Sequence, residues 1–111
     1  MEDIYFSDSE KVSLSEITQF LKRKWPLARL KLFGSRVRGT ADEESDIDLL
    51  ILLPCNVTAE IRRIIVEKVF EINLIYGSNI SLLIVSEDEW QRGRISVLPI
   101  HDFIEEEGIA I

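Results

Sequence analysis

Two short segments of this 111-residue chain combine residue types that chemistry can use: Gly34-Ser35 and, after ten intervening residues, Asp46-Ile47-Asp48. On an extended strand, side chains two apart share a face and sit roughly 6.5–7 Å apart along the chain. Asp46 and Asp48 are therefore expected to project together, with Ile47 and Leu49 turned into the opposite layer. Two carboxylates on one face of an otherwise apolar strand are costly unless something neutralises them. A divalent cation does so, and hard oxygen ligands in an open, partly hydrated site are what magnesium takes alongside triphosphate oxygens. Glycine at a strand end lets the backbone turn sharply and come close to a ligand, leaving amides for phosphate oxygens. Ser35 adds a hydroxyl donor, and a short helix from Arg36 to Arg38 would add an N-terminus that favours an anion. Arg36 and Arg38 suit either a phosphate clamp or surface ion pairs with Asp42, Glu43 or Glu44. Ser45 reads as a turn residue beside the acids and as a further candidate nucleotide contact.

The surrounding elements must hold those two segments together. A first helix is expected to begin near Ser13, where Ser13-Leu14-Ser15-Glu16 has capping-box spacing. Leu14, Ile17, Phe20, Leu21 and Trp25 fall on one helical face, and Pro26 stops the run. Leu30 to Phe33 reads as a short strand running into Gly34, and Asp46 to Leu53 as a long buried strand. Asn56 or Thr58 opens a second long helix with apolar positions Ile61, Ile64, Ile65, Val69, Ile72 and Ile75, closed by Gly77. Ile80 to Val85 is a third strand, followed by a capping box at Ser86-Glu87-Asp88-Glu89. Pro99 to Glu107 is expected to form a last helix stopped by Gly108, with Ile109-Ala110-Ile111 as a short edge strand. The pattern predicts an α/β sandwich, a small mixed sheet with helices packed on it, in which the second and third strands are parallel neighbours joined by the long helix.

The whole chain, 1–111, reads as one domain, with 1–11 as a flexible or partner-contacting segment in which Tyr5 and Phe6 are possible anchors. The formal net charge of −7 argues against wrapping free nucleic acid, which a basic face would favour. It fits a nucleoside triphosphate that arrives with its own magnesium, or a basic protein partner. Met1 to Glu10 carries four acids and no basic residue, unlike a targeting peptide, and no apolar run is long enough to span a bilayer. With a single cysteine, Cys55, there is no internal disulfide, and a cytoplasmic location is expected. His101 and the run Glu105-Glu106-Glu107 are expected on a solvated helix face, and Trp25 and Trp90 in packing roles.

The combination Gly34-Ser35-Arg36-Val37-Arg38-Gly39 with Ser45-Asp46-Ile47-Asp48-Leu49 resembles the signature of the DNA polymerase beta-type nucleotidyltransferases. It is most similar to the minimal members of that superfamily, and the resemblance extends over nearly the whole chain. It implies the polymerase beta-like fold, triphosphate binding by Gly34 and Ser35, and two Mg2+ ions held by the catalytic acids Asp46 and Asp48. It also implies ATP as substrate, an adenylate transferred to a hydroxyl acceptor, and a HEPN-domain protein as partner in a toxin–antitoxin pair, with a homo- or hetero-oligomer possible. Active members carry a third carboxylate on the strand after the crossover helix. Here the matching position is Ser81, while Glu87, Asp88 and Glu89 fall past the strand. The alternative implied is a weakened site that binds nucleotide, or that neutralises its partner by direct contact.

Overall fold

The computed structural model describes residues 6–38 and 46–111, with only the backbone described at Arg38. Tyr5, Asp42, Glu43, Glu44 and Ser45 lie outside the described residues. Helix α1 spans Asp8–Lys24, and a tight turn leads into strand β1, Arg29–Phe33. A single helical turn, α2 (Ser35–Arg38), follows it. Strand β2 is Ile47–Leu53, helix α3 is Ala59–Tyr76 and strand β3 is Ile80–Ser86. Helix α4 (Glu87–Arg92), a 3₁₀ turn (Arg94–Val97), helix α5 (Pro99–Glu107) and strand β4 (Ile109–Ala110) complete the described fold.

The sheet has the order β3-β2-β1-β4. β1 pairs antiparallel with both β2 and β4, and β2 runs parallel to β3 through the α3 crossover. A parallel pair needs a long return path, and α3 supplies it. The mixed sheet expected from the sequence is what forms. Leu49 to Leu53 are fully buried because helices cover both faces of β2. Ile47, Leu49, Ile51 and Leu53 pack with Leu14, Ile17 and Leu21 of α1 and with Ile65, Val69 and Ile72 of α3. Leu50 and Leu52 face the smaller cluster of Trp90 and Ile104, which α4 and α5 contribute. Among the described residues, no helix is long and apolar enough to cross a membrane.

The start of α1 differs from expectation. The helix begins five residues before Ser13, capped by Ser7, whose hydroxyl accepts from the Glu10 amide while Glu10 accepts from the Ser7 amide. Ser7 and Glu10 have the same three-residue spacing as Ser13 and Glu16, so spacing alone could not choose between them. Ser13 lies buried inside the helix instead, its hydroxyl sharing a 2.8 Å hydrogen bond with Ser78. Residues 8–11, expected to be flexible, are therefore helical, and Phe6 is half-buried against the main core. Thr58 caps α3, and Gly77 closes it with φ of +68°. Ile75 is exposed rather than buried, and Tyr76 packs in its place. Asp46 stands one residue before β2 rather than in it.

One further expectation is corrected on α5. His101 is largely covered, its ring tilted against Trp90 with centroids 4.4 Å apart. Glu105 to Glu107 are exposed as expected, and Glu105 also accepts from the buried Trp90 indole N–H, with Lys31 3.7 Å away. That donation, aided by the Lys31 charge against the cost of burial, holds the Glu105 carboxyl below its ordinary range.

Glu10 ties α1 to the turn after β1. Its carboxylate accepts from the Arg36 guanidinium at 2.8 and 3.2 Å. Burial opposes ionisation of Glu10, but donation from Arg36 and Ser7 outweighs it, and the pKa lies below the ordinary 4.5. A carboxylate with a lowered folded-state pKa adds stability above its unfolded pKa and loses it as the pH falls through the folded value. Glu10→Ala is expected to lower unfolding free energy by roughly 1–3 kcal/mol at pH 7, as loss of a charge-assisted hydrogen bond does. Urea denaturation at pH 7 and again below pH 4.5 checks this: the gap between wild type and variant is expected to shrink at the lower pH.

Candidate active site

The site is built on one row of the sheet. Phe33 stands opposite Asp48 across the β1–β2 pair, and Ser81 stands opposite Asp48 across the β2–β3 pair. Directly opposed residues on neighbouring strands project to the same face. Phe33, Asp48 and Ser81 therefore share the face that carries Leu50 and Leu52 further along β2, while Ile47 turns into the main core. The row lies where β1 ends and β2 and β3 begin, beyond the cover of Trp90, and Asp48 is half-buried there.

Gly34 sits immediately past this row with φ of +92°, a backbone conformation that side-chain-bearing residues rarely adopt. The Asp48 carboxylate rests over it: a Cβ placed at Gly34 would collide with Asp48 Oδ2 and stand 3.1 Å from its Cγ. Glycine thus meets two demands at one position, a turn of unusual sign and a surface flat enough for the acid. Ser35 follows as the first residue of α2, and the Val37 amide donates to the Gly34 carbonyl at 3.1 Å. α2 is one turn long, so it offers individual amide donors rather than a long helix dipole.

Asp46 is exposed at the edge of this face. The Asn79 side-chain amide donates to its Oδ1 at 2.5 Å, and the Ser81 hydroxyl donates to its Oδ2 at 3.3 Å. The Ile47 amide also donates to the Asn79 carbonyl, so backbone pairing fixes the level of both residues. Asp46, Asp48, Ser81 and Gly34 are thereby gathered at one end of the sheet. Asn79 is a member of the group that sequence reasoning missed, although a polar residue just before a strand parallel to β2 was a usable signal. Among the described residues no group of three or more acids, histidines and cysteines forms a ready-made metal cluster. Two carboxylates nevertheless match what magnesium requires when substrate phosphates supply the remaining oxygens.

Arg36 is held from a second direction by α1. It is 7% exposed, bound to Glu10, with its guanidinium 5.3 Å from the Phe6 ring centre. It anchors α2 to the start of α1, so the turn at Gly34 is held from both ends. Arg38's side chain and Ser45 lie outside the described residues.

A family model for the nucleotidyltransferase domain matches residues 14–111. The chain belongs to that family. It is 41% identical over 69 residues to a protein of Methanocaldococcus jannaschii named as a "putative protein adenylyltransferase", covering 62% of this chain and 68% of that one. Two solved structures share the fold. One, the crystal structure of a toxin–antitoxin with AMP-PNP, matches 94% of this chain and 72% of its own at a TM-score of 0.59 and 17% identity. The other, a "putative nucleotidyltransferase" from Sulfolobus solfataricus, matches 96% and 87% at a TM-score of 0.55 and 18% identity.

In this nucleotidyltransferase domain the Gly34–Asp48 contact is open to a direct test. Gly34→Ala is expected to destabilise by about 1–3 kcal/mol through backbone strain, with the collision added to it. Combining it with Asp48→Ala removes the collision and leaves the strain. In denaturant unfolding the loss from Gly34→Ala is expected to be smaller in the Asp48→Ala background; strictly additive losses would mean that the two residues do not touch.

Proposed function

We propose that this domain transfers a nucleoside monophosphate, AMP from ATP, to a hydroxyl on a partner protein, with Asp46 and Asp48 as the metal-binding catalytic acids. The observation that carries the reading is the row itself: two carboxylates, one over a bare glycine turn and one beside it, on a face that the helices leave partly open. The Gly34–Ser35 backbone and the Ser35 hydroxyl would hold the terminal phosphates, and Asp46 and Asp48 would hold two magnesium ions. When bound, magnesium supplies charge neutralisation at the phosphates. In the transfer the acceptor oxygen bonds to the α-phosphorus, the bond to the pyrophosphate oxygen breaks in line with it, and the acceptor proton leaves to solvent or a base. Asn79 orients Asp46. Arg36 acts at one remove by fixing α2, and Arg38 and Ser45 remain candidate nucleotide contacts.

A protein partner is supported by the toxin–antitoxin structure among the structural matches and by the exposed apolar residues Val66, Phe70 and Leu74, spaced four apart on α3. A HEPN-domain toxin, in a cytoplasmic pair, is the partner that the motif resemblance favours. Ser81 supports a second reading, a nucleotide-binding antitoxin that neutralises by contact. A serine hydroxyl opposite Asp48 is neither an anionic ligand nor an effective base at neutral pH.

Two measurements test these readings. The double variant Asp46→Asn, Asp48→Asn is expected to fold and to lose magnesium-dependent ATP binding in calorimetry, and unchanged affinity would overturn the assignment of the acids. Ser81→Asp is expected to raise transfer of labelled adenylate to the partner by up to about 10²–10⁴-fold, the usual worth of a general base. Robust wild-type transfer that the change leaves unaltered would place the base elsewhere.

A further inference from the structure

A second feature adjoins the carboxylate row. A cleft of about 420 Å³ is lined by Phe33, Gly34, Ile100, Phe103, Ile104 and Glu107. Its α5 members are spaced i, i+3, i+4, i+7, so one face of that helix forms a wall. Ile104 is fully buried beneath it, whereas Ile100 and Phe103 remain 38% and 59% exposed. The opposite wall is the end of β1. Phe33 is the cross-strand neighbour of Asp48, which puts their side chains roughly 4.5–5.5 Å apart. The cleft therefore begins one strand away from an acid of the site, and an aromatic ring stands partly uncovered within it.

Resting on the nucleotide-transfer reading above, we infer that the Phe33–Phe103 cleft receives the nucleobase of the triphosphate, with Phe103 as its stacking surface. The lining is apolar apart from Glu107, so the cleft suits the uncharged end of the nucleotide. It is large enough for a small ligand's ring system, since ligand pockets start at roughly 300 Å³. The base is the flat, uncharged group of the nucleotide, and aromatic stacking accepts any base face. The exposed Phe103 ring then gains the cover that the free protein does not give it.

The test compares MgATP with magnesium tripolyphosphate, which has the phosphates but no base, by calorimetry on the full chain. Phe103→Ala is expected to weaken ATP binding roughly 5- to 150-fold, the affinity that stacking one base contributes, and to leave tripolyphosphate binding unchanged. Phe103→Trp is expected to restore ATP binding. Because Phe103 is mostly exposed, neither change threatens the fold, and thermal unfolding checks that directly. Photolysis with 8-azido-ATP is expected to label the α5 peptide. If wild type binds both ligands and Phe103→Ala alters neither, or weakens both alike, the cleft is not the base site, while the transfer reading stands. If Phe103→Ala spares both ligands but abolishes complex formation with the partner, the cleft is a protein-docking surface and the inference falls. If wild type binds neither ligand, the nucleotide reading itself fails, and the inference with it.

Discussion

The structure depends on how closely the end of β1 approaches the start of β2. At Gly34 the backbone turns with positive φ directly under the Asp48 carboxylate, and no other residue type leaves room for that contact. The approach is set by antiparallel pairing, which runs from Arg29 opposite Leu52 to Phe33 opposite Asp48 and delivers the last residue of β1 to the acid. Ser35, Asp46, Asp48 and Ser81 all sit within a residue or two of this crossing point. A shift of one residue in register would turn Asp48 toward the buried layer and Leu49 outward, so core packing and site geometry are enforced by the same pairing.

That pairing is held from outside the site. The hydrophobic layer of α1 and α3 buries Ile47, Leu49 and Ile51 beneath the acids. Leu50 and Leu52 are covered from the other side by Trp90 and Ile104. Charge does the rest: Arg36, nearly buried, reaches the N-terminal turn of α1 through Glu10, linking the residue after the site's turn to the helix that packs the core. An ion pair in this position contributes more to orientation than to net stability, since taking both charges from water offsets much of their attraction.

The site's arrangement also explains why its acids tolerate proximity. Asp46 is exposed and accepts two side-chain hydrogen bonds, from Asn79 and Ser81. Ser81 therefore has a role that a carboxylate in its place could not share in the metal-free protein, where a third negative charge would repel the first two.

The sequence alone determined most of the elements and the alternation that brings Asp46 and Asp48 to one face. The long apolar run of β2, the helical period of α3, the cap at Thr58, the stop at Gly77 and the bounds of α5 are local signals, and local chemistry decides them. The spacing of Gly34-Ser35 and Asp46-Ile47-Asp48 was equally legible, because alternation along a strand is a property of the backbone. Three things were decided only in the tertiary structure. Two capping boxes with identical spacing competed for the start of α1, and the choice fell to Ser7 and Glu10, with Glu10 also bound to a partner 26 residues away and Ser13 needed inside against Ser78. Arg36 lies buried with Glu10 of α1, an acid 26 residues away. His101, in a polar stretch of sequence, is covered because Trp90 comes from another helix. Each of these turns on contacts between residues distant along the chain, and no local pattern encodes which distant group will arrive.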